Sequence, residues 1–119
     1  TSVDINPKAV NATKFNAKQN QVNIEVLESD MFEKVKGRKF DFIVCNPPYL
    51  PPTDDYDDQE LALAVEGGPT GSEFTLRLLK EAPDYLEQDG SLYLILSSKM
   101  KELKVKWDQK IKVDNPCFA

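Results

Sequence analysis

Phe40-Asp41-Phe42-Ile43-Val44-Cys45-Asn46-Pro47-Pro48-Tyr49 is the stretch on which the fold turns. Its mostly apolar start predicts a strand over 40–45, buried on both faces as strands of a parallel sheet are. Asn46-Pro47-Pro48-Tyr49 must end that strand, because proline fixes φ and has no N–H to give to a sheet ladder. Upstream, Val22-Asn23-Ile24-Glu25-Val26-Leu27 alternates at period two and predicts a strand ending near Asp30. Between the two, Met31 to Lys39 is short, charged and contains Gly37, which suits a turn or a single helical turn.

Further upstream, Thr1-Ser2-Val3-Asp4-Ile5-Asn6 resembles a strand end entering a helix. Asn6 can cap that helix and Pro7 suits its first position, where a missing N–H costs nothing. Lys8 to Asn20 then lacks breakers and sets Ala9, Val10, Thr13 and Ala17 on one face. Downstream of Tyr49, a long loop runs from Leu50 to about Pro69 and carries Asp54, Asp55, Asp57 and Asp58 around Tyr56. Loops of that length are usually functional or mobile. Thr70-Gly71-Ser72-Glu73 has the spacing of a capping box, and Phe74, Leu78, Leu79, Ala82 and Leu86 follow at helical intervals. Pro83 should divide that helix near Ala82. Asp89-Gly90 predicts a turn and Ser91-Leu92-Tyr93-Leu94-Ile95-Leu96 a strand. Strands alternating with helices predict an α/β fold with a mostly parallel sheet. Beyond Ser98, Val105-Lys106-Trp107 and Lys110-Ile111-Lys112-Val113 are candidates for short edge strands.

The chain has 119 residues, which predicts a single domain over 1–119. With 40% hydrophobic residues it can build a core. Its longest apolar run, Leu92 to Leu96, is far short of the ~20 residues of a membrane helix, and no leader-like segment opens it. A net charge of −5 disfavours non-specific binding to phosphate backbones. Cys45 and Cys117 form neither a disulfide framework nor a metal site by spacing. Cys45, in an apolar run, is expected to be a buried thiol, which suits a cytoplasmic protein. These residues include no histidine, so imidazole acid–base chemistry and histidine-activated nucleophiles are excluded within them.

At the carboxyl edge of an open α/β sheet, where ligands bind, Asn46-Pro47-Pro48-Tyr49 has a chemical reading. The prolines stiffen the backbone and remove donors, so carbonyl oxygens stand free as acceptors. Asn46 adds a side-chain carbonyl, and Tyr49 a ring face for stacking. Two acceptors and a ring suit a planar NH2 group, either a carboxamide or a nucleobase amine. The alternative is a strand stop followed by a proline-rich turn.

With these residues the chain resembles the class I S-adenosylmethionine-dependent methyltransferases that act on amino nitrogens, and among them the HemK-type glutamine methyltransferases of the archaeal and eukaryotic branch. The resemblance runs from Val3 to Ser98 through Val3-Asp4-Ile5-Asn6-Pro7, Ser29-Asp30-Met31-Phe32, Asn46-Pro47-Pro48-Tyr49 and Glu66-Gly67-Gly68-Pro69-Thr70-Gly71, in order. It implies a Rossmann-like fold and S-adenosyl-L-methionine as cofactor. By resemblance Asp4, beside Ile5, would accept from the ribose hydroxyls. Asp30 would accept from the adenine amine, with Met31 or Phe32 against the ring. Asn46 would serve cofactor and target together, and with the Pro47 carbonyl, Pro48 and Tyr49 would hold the target nitrogen. Gly67 and Gly68 would lie beside the substrate entrance. Each acid also has a plainer role, Asp4 at a helix start and Asp30 in a solvated turn.

The resemblance implies methyl transfer to a glutamine side chain of a peptide chain release factor, with a small zinc-binding activator subunit as partner. Two alternatives stand beside it. One is methylation of an exocyclic base amine of RNA or DNA, for which Lys99, Lys101, Lys104, Lys106, Lys110 and Lys112 could form a basic strip. The other is a non-catalytic binding module that keeps only the substrate side of the fold. The glycine-rich loop and first strand that precede the acidic ribose ligand in this family are not among these residues, so the domain is expected to be truncated.

Overall fold

The computed structural model describes residues 1–53 and 58–97. Four parallel strands and three helices lie among these residues. Strand β1 (Ser2–Asp4) leads into helix α1 (Pro7–Gln19), which returns to β2 (Val26–Glu28). A 3₁₀ turn (Glu33–Val35) precedes β3 (Phe40–Cys45). Helices α2 (Gln59–Val65) and α3 (Glu73–Glu81) follow, then a 3₁₀ turn (Ala82–Tyr85) and β4 (Leu86–Leu94).

Helix α1 starts as its residues dictate. The Asn6 side chain accepts from the Lys8 N–H at 2.9 Å, and Pro7 takes the first helical position. Val10 is buried, and Ala9, Thr13 and Ala17 are half-buried beside it, which is the face read from spacing. Helix α3 starts later than the capping-box spacing predicts, at Glu73 with Ser72 as its cap. The Gly71 N–H bonds the Gly68 carbonyl with Gly71 at φ +79°, so the chain is still turning where the box would begin. Glu73 nevertheless reaches back, accepting from the Thr70 N–H and from the Thr70 hydroxyl at 2.9 Å. Pro83 ends the α-helical path as expected, and Leu86 opens β4 rather than extending the helix.

The parallel arrangement is as expected, but it is split. Among the described residues β1 pairs with β2 and β3 with β4, giving two two-stranded sheets. Three further expectations need correction. Residues 22–25 run without a strand, leaving β2 only Val26–Glu28, with Val22 and Ile24 exposed. Asp89-Gly90 lies inside β4, where Phe40 pairs with Leu86 and Phe42 already with Ser91. That irregularity absorbs the excess residues without a turn. The long loop contains α2, capped by the Asp58 carboxylate on the Glu60 N–H at 2.8 Å. Asp54, Asp55, Asp57 and Tyr56 lie outside the described residues, as do the 99–119 tail, its lysines and Cys117.

Burial on β3 is one-sided. Ile43 and Cys45 pack with Leu92 and Leu94 of β4 against a core of Met31, Phe32, Val35, Leu78 and Ala82. The alternate residues, Phe42 and Val44, are 65% and 77% exposed, so the expected burial on both faces is absent. Phe32 stacks on Tyr85 with centroids 4.2 Å apart, a contact worth ~0.5–1.5 kcal/mol beyond its area. Cys45 is half-buried rather than fully buried, and that burial pushes its thiol pKa up.

Candidate functional site

The carboxyl ends of β1, β2 and β3 open onto one cleft of about 700 Å³ between the two sheets. Asp4 ends β1 and pairs in register with Glu28 of β2. The Ser29 N–H donates to the Asp4 carbonyl at 2.9 Å, tying the two strand ends together. Asp30 follows at once, and Asn46 stands directly after β3. Asp4, Ile5, Asp30, Met31, Phe32, Asn46, Pro47 and Pro48 all line the cleft. Parallel topology explains why residues spaced so far apart meet: each crossover returns the chain to the same edge.

The turn after β2 is strained and held. Met31 has φ +45°, a left-handed conformation that costs a non-glycine residue ~1–2 kcal/mol. Its side chain is buried in the core, and the buried Ser29 hydroxyl donates to the Met31 carbonyl at 3.0 Å while accepting from the Lys34 N–H at 3.1 Å. Ser29 thus fixes the path on which Asp30 is presented. Asp30 does not stand as a free turn acid. Nη1 of Arg77, on α3, donates to both its oxygens at 2.9 and 2.8 Å, and Nε of Arg77 donates to Glu81 at 2.8 Å. Asp4 commits Oδ1 to the Asn6 N–H at 2.8 Å, a local turn bond.

The segment after Asn46 is pinned from behind. The Tyr49 and Leu50 N–H groups both donate to the Val65 carbonyl, at 3.1 and 2.8 Å, and the Gly67 N–H donates to the Leu50 carbonyl at 2.9 Å. A Cβ on Gly67 would lie 2.5 Å from the Pro48 and Gly71 carbonyl oxygens. Gly71 would meet the Tyr49 carbonyl at 2.6 Å. Glycine here lets two backbones pack together, a role that needs no substrate. Tyr49, Gly67 and Gly68 do not line the cleft. Pro47 is buried and Asn46 exposed, and the Asn46 amide has no hydrogen-bond partner among the described residues.

Sequence reasoning missed Ser29 and Arg77. Ser29 could have been found as a hydroxyl preceding a turn acid. Arg77 shows locally only its i,i+4 spacing to Glu81, and its bond to Asp30, 47 residues away, leaves no local signal. Helix α2 adds Glu60, Leu63 and Ala64 to the cleft wall, and Glu60 forms an ion pair with Lys8 of α1. Among the described residues no cluster of His, Cys, Asp or Glu is placed to hold a metal ion, and no helix is long and apolar enough to cross a membrane.

Comparison with known proteins adds a family match and three relatives. The methyltransferase small domain family matches residues 1–112. A Methanocaldococcus jannaschii protein named as a protein N5-glutamine methyltransferase is 50% identical over 97 residues, 81% of this chain and 49% of that protein. The release factor glutamine methyltransferase of Aquifex aeolicus is 38% identical over 100 residues, 78% of this chain and 36% of its own length. The ribosomal protein uL3 glutamine methyltransferase of Francisella tularensis is 35% identical over 100 residues, 77% and 32% respectively. The chain therefore spans between a third and a half of the curated relatives it matches.

Proposed function

This chain belongs to the methyltransferase small domain family, and we propose that the whole protein transfers a methyl group from S-adenosylmethionine to the side-chain amide nitrogen of a glutamine in a protein substrate. The observation that carries this reading is the convergence of Asp4, Asp30 and Asn46-Pro47-Pro48 on one cleft. The names of relatives that methylate glutamine in a release factor or in ribosomal protein uL3 support the same acceptor chemistry.

The residues present fit a nucleoside cofactor. Asp4 leaves Oδ2 for ribose hydroxyls, since its local bond to the Asn6 N–H uses Oδ1. Asp30 offers a carboxylate beside the apolar wall of Met31 and Phe32, the mixture of few polar groups and much apolar surface that such sites have. When bound, the cofactor supplies an electrophilic methyl group on a positively charged sulfur. The two parallel strand pairs, with the cleft between them, fit part of a Rossmann-like class I sheet.

A carboxamide nitrogen is a poor nucleophile because its lone pair is delocalised. The Asn46 side-chain oxygen and the Pro47 carbonyl accept from its two hydrogens and favour a pyramidal nitrogen with its lone pair restored. No strong base is needed before attack, since the nitrogen gives up one proton to water only once it carries the methyl group. Pinning of Tyr49 and Leu50 on Val65 keeps these acceptors in place, and held geometry of this kind supplies much of the rate. The half-buried free thiol of Cys45 suits a reducing, cytoplasmic setting. A zinc-binding activator subunit belongs to the reading through family likeness alone.

The test uses the full-length protein with methyl-labelled S-adenosylmethionine, offered in turn a release factor, ribosomal protein uL3 and nucleic acid. Label on a glutamine side chain, located by tandem mass spectrometry, is the expected result. Label in RNA or DNA and none in protein would replace this reading with base-amine methylation.

A further inference from the structure

Among the described residues Arg77 ties the acid after β2 to helix α3 through its side chain, and neither the motifs nor the comparisons give it a role. Its Nη1 reaches both oxygens of Asp30, and its Nε is held by Glu81 one turn further along α3, so the guanidinium is clamped between two carboxylates. The pair lies in the cleft wall and is only partly exposed, Arg77 at 42% and Asp30 at 35% of their side chains. An ionised carboxylate has about four lone-pair positions. Nη1 takes one on each oxygen, which leaves the others for a ligand. The far end of the clamp is also fixed. Helix α3 grows from the loop that packs on the backbone of Pro48 and Tyr49, through Gly67 and Gly71. Arg77 therefore sets Asp30 relative to the Asn46-Pro47 acceptors, while Ser29 sets it from the other side.

We infer that Arg77 is a positioning residue: it aims the Asp30 carboxylate at an N–H donor on the cofactor's base and so sets the preference for an amino-purine over an oxo-purine. This rests on the cofactor reading proposed above. A carboxylate in that pose accepts from an exocyclic amine and repels an exocyclic oxygen. Discrimination of this sort is large only when the polar group cannot turn away, and Arg77 prevents it from turning.

The experiment is calorimetric binding of S-adenosylhomocysteine and S-inosylhomocysteine to the full-length protein, to Arg77→Met and to Arg77→Lys. The unmodified protein should prefer the adenosyl ligand by about tenfold or more, the scale of one hydrogen bond to a charged group. Arg77→Met should weaken S-adenosylhomocysteine by about tenfold and bring the two affinities together. Arg77→Lys keeps a charge against Asp30 but lacks the planar fork, and should fall between. An adenosyl preference in folded Arg77→Met equal to that of the unmodified protein overturns the inference while leaving the cofactor reading intact. If Arg77→Met does not fold, an unchanged preference in Arg77→Lys overturns it equally. Failure of the unmodified protein to bind either ligand instead overturns the cofactor reading itself.

Discussion

Asn46 follows the last residue of β3 directly and is exposed in the cleft, which makes it a clean place to separate function from folding. Substituting Asn46→Ala removes an acceptor and no packing. Stability should stay within about 0.5 kcal/mol, as for surface substitutions generally. Methyl transfer by the full-length protein should fall about 10²-fold or more, the scale for deleting one preorganised polar partner of a reacting group. Turnover within a few-fold of the unmodified enzyme, in steady-state assays, would remove Asn46 from the chemistry. Local chemistry made this residue legible: a side-chain carbonyl beside two prolines has its meaning within four positions of sequence. Ser29 and Arg77 were not legible in that way. Their roles depend on a strained Met31 and on a partner brought in by tertiary folding.

At the scale of elements, the start of α3 shows how a readable signal can act at a different place. Thr70 and Glu73 interact as the spacing suggests, but the helix begins at Glu73 because Gly68 and Gly71 keep the chain turning. Desolvation pushes the Glu73 carboxyl up, yet the bonds from Thr70 and Ser72 outweigh it and hold its pKa below the ordinary 4.5. The sign follows from linkage. A carboxylate with a depressed folded value stabilises the fold fully above its unfolded pKa, and that contribution is lost as pH falls through the folded value. Chemical denaturation across the acid range should therefore show a shallower loss of stability below pH 4.5 for Glu73→Gln than for the unmodified protein. An identical acid limb in both would mean that these bonds do not favour the folded state.

The described residues form two small parallel sheets beside a cleft, and on β3 and β4 they leave an apolar face exposed that runs into that cleft. Phe42, Val44 and Tyr93 share that face of β3 and β4, with the Phe42 and Tyr93 rings 6.1 Å apart, and all three are more than half exposed. Contiguous apolar surface of this kind binds hydrophobic probes and promotes association. Produced as this 119-residue chain, the protein should enhance the fluorescence of an anilinonaphthalene dye, and the pair Phe42→Ser, Val44→Thr should reduce that signal with the circular dichroism unchanged. Undiminished fluorescence would mean that the dye does not bind at this face, whose Phe42 and Val44 also line the cleft. What the sequence determined by itself is the class of fold and the order of its chemical groups: capping, proline stops and alternating apolar runs act over a few residues and need no distant partner. Only the tertiary structure decided that the sheet is split, that β3 is covered on one side, that Tyr49 and the glycines stand behind the cleft rather than in it, and that Arg77 grips Asp30. These outcomes depend on which surfaces meet across long stretches of chain, and period-two or helical spacing carries no record of that.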